Sequence, residues 1–60
     1  MKIQELSYNQ IKYLVTIGRV TRDQLIQVIL AFEKNPTDRF KNSLHYMTDG
    51  QLIDMICVQD

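Results

Sequence analysis

Three times in this chain an apolar residue precedes Ser or Thr, two variable residues, a Gln and a second apolar residue. The stretches are Leu6-Ser7-Tyr8-Asn9-Gln10-Ile11, Val20-Thr21-Arg22-Asp23-Gln24-Leu25 and Met47-Thr48-Asp49-Gly50-Gln51-Leu52. Each is a helix start written in side-chain chemistry. The hydroxyl accepts from the amide three residues on, and the Gln reaches back to the amide of the hydroxyl residue. The flanking apolar residues then pack on each other and fix the direction in which the chain joins the helix. Asp23 and Asp49 in two of the first turns suit the positive end of the helix dipole. One match would carry little weight. Three in 60 residues, each opening an amphipathic run, predict three helices.

The stops are as legible as the starts. Gly18 suits a left-handed cap at the end of the first helix. Pro36 pushes Asn35 out of helical geometry and so closes the second. Thr37 predicts a fourth start, for a short helix beginning at Asp38. The expected fold is therefore all-α: a compact bundle of three to four short capped helices over 8–17, 22–34, 38–46 and 49–58, in a single domain spanning 1–60. Connections this short make neighbouring helices pack together. At an offset of 27, Thr21–Ile29 matches Thr48–Ile56 at Thr, Gln, Leu, Ile and Ile. Two copies are too few to require a duplication, because capped amphipathic helices converge on similar strings.

Helical periodicity assigns the core. Ile11, Leu14 and Val15 share a face of the first helix, and Leu25, Val28, Ile29 and Phe32 a face of the second. Phe40, Leu44 and Met47 follow on the third, and Leu52, Met55 and Ile56 on the fourth. Six apolar side chains fall outside these stripes: Tyr13, Ile17, Ile26, Leu30, Ile53 and Cys57. A second apolar stripe requires burial against a further helix or contact with another molecule. The six are accordingly the candidate partner-binding residues, and a homodimer is the simplest assembly they suggest.

Size and composition sharpen that expectation. A domain of this length buries only about 60% of the surface its unfolded chain exposes. Small domains offset this with disulfides, a metal, oligomerisation or unusually good packing. Cys57 is the only cysteine, and Cys57 and His45 are the only soft metal ligands, against the four that structural zinc wants. No cofactor or metal is expected. The lone cysteine predicts a reducing, cytoplasmic setting. Met1 to Leu6 has one lysine and no apolar run long enough for a signal peptide or a membrane span. Net charge is zero but polarised. Residues 1–43 hold all seven Lys and Arg against Glu5, Asp23, Glu33 and Asp38, and residues 44–60 hold only Asp49, Asp54 and Asp60. Such a gradient can steer a partner or a second copy head to tail.

Catalytic readings find little support. Nothing in the sequence brings His45 and Cys57 together as a thiolate–imidazole pair, and a small apolar thiol on a packed helix explains Cys57. His45, near the end of the third helix, suits the terminal carbonyls there. Asp49 and Asp54 stand five apart, which spreads them around a helix. Both glycines are isolated, so no phosphate-cradling loop exists. Gly18 to Leu25 has the glycine and aliphatic spacing of the second half of an EF-hand loop. The ligand positions before it would be Tyr13, Val15 and Ile17, where calcium needs oxygen ligands. The expectation is a protein that is not an enzyme.

Two binding classes remain. Gln10 to Gln27 gives helix, glycine turn and capped helix, with Arg19, Arg22 and Gln24 placed to reach phosphates and base edges as in a helix-turn-helix. Against this, Arg19 stands where an aliphatic residue is usual, Leu14 where a small one is, and the second helix is apolar over much of its girth. No membrane-surface helix is expected, since the polar face of the second helix mixes Arg22, Asp23, Gln24, Gln27, Glu33 and Lys34. By elimination the leading expectation is a small protein–protein interaction module. It would act as a regulator, inhibitor or adaptor of a larger protein by occupying its surface, with a DNA-binding regulator and a structural homo-oligomer subunit as alternatives.

Overall fold

Each helix starts where its hydroxyl residue says it should. The structure, a computed structural model, describes residues 2–58. A short 3-10 turn, Ile3–Glu5, leads into α1 (Tyr8–Thr16), α2 (Arg22–Phe32), α3 (Asp38–His45) and α4 (Asp49–Cys57). The caps are Ser7, Thr21, Thr37 and Thr48. Three are reciprocal: Gln10, Gln24 and Gln51 accept at Oε1 from the cap amides at 2.9, 2.8 and 2.9 Å. Their own amides donate back to the cap hydroxyls at 3.3, 3.2 and 3.2 Å. Thr37 caps α3 through a single bond from the Phe40 amide, because Phe40 has no side-chain acceptor to return.

The helix ends follow the same economy. Gly18, at φ +79°, is the one described residue with positive φ. Its amide donates to the Val15 carbonyl at 3.1 Å and the Arg19 amide to the Leu14 carbonyl at 2.9 Å, the two bonds of a Schellman stop. The second helix ends at Phe32 rather than at 34, with Glu33 already extended. An acidic side chain is unfavourable at the negative end of a helix, and nothing apolar follows Phe32 to hold a further turn in place. The other ends fall within one residue of expectation: Ile17, Tyr46 and Val58 are C-caps rather than helical residues.

The helices pack in the spatial order α1–α4–α2–α3. α4 lies against both α1 and α2, and α2 against both α4 and α3. This order accounts for the second apolar stripes. An inner helix has two neighbours and needs two apolar faces, whereas an outer helix needs one. Leu25, Ile26 and Ile29 on α2 and Leu52, Ile53 and Ile56 on α4 are all buried. The match at an offset of 27 is thus also a match of burial, which the shared inner position is sufficient to impose. The rest of the core is Ile11, Val20 and Leu44.

The assignments of Ile26, Ile53 and Phe32 change. Ile26 is 5% exposed and Ile53 1%, so both belong to the core and not to a partner-binding face. Leu30 and Cys57 are half-buried against the same cluster. Phe32, expected in the core, is 37% exposed. It stands on the last residue of α2, where no following turn covers it and Glu33 to Asn35 are exposed.

The inner-helix assignment predicts a graded set of stabilities. Ile53→Ala should lower the free energy of unfolding by about 2–4 kcal/mol. Tyr13→Ala, on the outer side of α1, should change it by about 0.5 kcal/mol or less. Urea titration followed by circular dichroism measures both. Equal losses at the two positions would contradict the spatial order.

Candidate functional site

α1 is an outer helix with two different faces. Its inner face carries Ile11, which is fully buried, and Tyr8 and Val15, which are half-buried against the core. Tyr8 settles on the first turn of α4: its hydroxyl is 3.0 Å from where a Cβ on Gly50 would stand. At 100° per residue, Tyr13 and Ile17 project from the far side of the helix. Tyr13 is 64% exposed and Ile17 48%, high values for apolar or aromatic side chains. Between them and the N-terminal turn runs a shallow groove of about 390 Å³ lined by Leu6, Asn9, Gln10, Tyr13 and Leu14.

Sequence reasoning found Tyr13 and Ile17 but missed that they belong to a longer seam. Leu6, Gln10, Tyr13 and Ile17 follow each other at spacings of four, three and four, the rhythm of a coiled-coil contact line. That spacing was present in the sequence. It was obscured because Leu6 lies outside α1, in the turn before it, and because Leu14 was assigned wholly to the core. Leu6 and Leu14 are half-buried against the core and form the edge shared by core and groove. Lys12, the one charged residue of α1, stands about 100° round the helix from Tyr13 and so off the seam. Of the six candidate partner-binding residues, Tyr13 and Ile17 therefore remain on one open surface. Ile26 and Ile53 are inside, and Leu30 and Cys57 pack on the core.

The three residues singled out for nucleic acid diverge as well. Arg22 is turned inward along the surface as a brace between helix ends. Its Nη1 donates to Asp49 Oδ1 at 2.6 Å, and its Nη2 to the Met47 carbonyl at 2.7 Å and to the His45 carbonyl at 3.4 Å. A cation at the first position of α2 is unfavourable to its own helix dipole. It is favourable to the carbonyls that end α3, and Asp49 at the first position of α4 completes its coordination. Arg22 thus performs the carbonyl capping expected of His45. Gln24 spends its side-chain oxygen on the Thr21 cap. Arg19 is exposed on the turn after Gly18, and among the described residues it forms no ion pair.

A second hollow, of about 630 Å³, lies between the N-terminal turn and the end of α4, lined by Gln4, Glu5, Leu6, Ser7, Tyr8 and Cys57. No histidine borders it, so His45 does not share that space with the thiol. Among the described residues no group of three or more His, Cys, Asp or Glu side chains is placed to hold a metal ion. No helix among them is long and apolar enough to cross a membrane. No family model, curated protein or solved structure matches the chain.

The brace role of Arg22 is testable by a double-mutant cycle with Arg22→Ala and Asp49→Ala. Both side chains are partly exposed, which limits the pair to a coupling of about 0.2–1 kcal/mol that fades with added salt. Arg22→Ala should cost more than Asp49→Ala, because it also releases two carbonyls. Denaturant titrations at low and high salt measure the cycle. Additive effects at low salt would mean that the two side chains do not act together.

Proposed function

We propose that this chain works by protein–protein contact through the outer face of α1, as a small regulator, inhibitor or adaptor that occupies a surface and catalyses nothing. The observation that carries the reading is the groove beside Tyr13 and Ile17. It lies on the outer side of an outer helix, lined by Leu6, Tyr13 and Leu14 with the amides of Asn9 and Gln10, and Ile17 is exposed one turn beyond Tyr13. Contact with another molecule would bury the apolar side chains left open there. Amphipathic helices use anchors at these spacings when they lie in a groove or pair with another helix. Aromatic anchors such as Tyr13 bring large buried area at low entropic cost. The single cysteine supports work in a reducing, cytoplasmic compartment.

The test compares wild type with a Tyr13→Gln/Ile17→Gln variant as immobilised bait in nuclease-treated lysate. Glutamine keeps helix propensity and adds no charge. The expected result is a protein captured in near-stoichiometric amount by wild type and reduced about tenfold or more by the variant. Capture of the same protein by both baits would overturn the reading. So would recovery of nucleic acid alone from untreated lysate, which would favour Arg19 and its turn.

A further inference from the structure

The seam on α1 is self-complementary, and we propose that a second copy of this chain covers it, with the two α1 helices antiparallel about a two-fold axis. The inference deepens the docking reading above and rests on it. In an antiparallel pair centred between Ile11 and Lys12, Leu6 faces Ile17 of the other copy and Gln10 faces Tyr13. A two-fold then repeats both contacts in the reverse sense. The charges at the two ends of the seam agree with this arrangement. Glu5 precedes it and Arg19 follows it, both are exposed, and among the described residues neither belongs to an ion pair. Antiparallel pairing brings Glu5 of each copy beside Arg19 of the other, and it opposes the helix dipoles. Parallel pairing would place Glu5 against Glu5 and Arg19 against Arg19, which is repulsive at both ends.

Three further features favour a second copy as the occupant. The core is small, nine buried side chains among the described residues, with neither disulfide nor metal cluster among them, so association adds to packing as a source of stability for a domain of this size. Net charge is zero, so two copies meet without long-range repulsion. Lys12 lies to the side of the seam and does not bar close approach of the Gln10–Tyr13 contacts. The seam is short, so the pair is weak, with a dissociation constant on the order of 0.1 mM. Pairing and docking on a larger protein use the same face and therefore exclude one another.

Sedimentation equilibrium on the purified chain, from about 10 μM to about 1 mM, brackets that affinity. Wild type should move from monomer to dimer across the range, and Tyr13→Gln/Ile17→Gln should stay monomeric. Glu5→Lys and Arg19→Glu should each weaken pairing by about threefold or more, and the double reversal should restore it. Circular dichroism establishes that each variant is folded, and restoration by the double reversal excludes damage to the monomer as the cause of the single losses. A wild type that stays monomeric to 1 mM overturns the second copy as occupant, and loss of lysate capture in the Gln variant would then still uphold the docking face. A dimer indifferent to Tyr13 and Ile17, or single reversals that the double does not rescue, overturns the antiparallel pair.

Discussion

The fold depends on the coupling of each helix start to the core. In α1, α2 and α4 the residue four places into the helix is Ile11, Leu25 or Leu52, and all three are fully buried. The same few residues therefore satisfy the orphan amides of the first turn and anchor the centre of the molecule. A hydroxyl and a glutamine fix where the helix begins, and the buried aliphatic fixes which way it points. α3 illustrates what happens without the coupling. Its cap is present, but Phe40 replaces the glutamine and Lys41 stands at the anchoring place. It is the shortest of the four helices, and its one buried side chain, Leu44, stands in its last turn rather than its first.

From this coupling the packing order follows, and from the order the division of surfaces. Two helices lie inside and bury apolar side chains on both flanks. Two lie outside, and their outer faces are free to differ. On α3 the residues turned away from the core are largely polar or charged, with Arg39, Lys41, Asn42 and Ser43 exposed. On α1 exposed Tyr13 stands among Asn9, Gln10, Lys12 and Thr16, with half-buried Leu6 before it and exposed Ile17 after it, whereas the aromatic exposed at the end of α3, Tyr46, has no apolar neighbour on that helix's exposed side. The grouping of Leu6, Tyr13, Leu14 and Ile17 on one side of α1 is the physical reason for proposing that side as the contact face. Arg22 closes the frame by bridging the first turns of α2 and α4 and the last carbonyls of α3.

The helix starts were legible because capping is local: the residues that make the bonds are three apart, and no tertiary information is needed to read them. Helix ends were legible to one or two residues, and the miss at Glu33 came from giving proline the whole task of termination. The faces were only half legible. Periodicity showed that α2 and α4 have two apolar stripes, but the neighbour that covers the second is a long-range fact. For Ile26 and Ile53 that neighbour is the chain itself. For Tyr13 and Ile17 no part of the described chain covers them. Sequence alone could not separate these cases, since all four residues are aliphatic or aromatic and all lie off a primary stripe.

The division between covered and open stripes is tested most directly by methyl-resolved NMR in the presence of a soluble paramagnetic agent. At low protein concentration the methyl signals of Ile26 and Ile53 should keep their intensity while those of Ile17 are attenuated, as expected of buried and half-exposed side chains. Attenuation of Ile26 and Ile53 equal to that of Ile17 would contradict the account, because the inner helices would then present the faces that the packing order places inside.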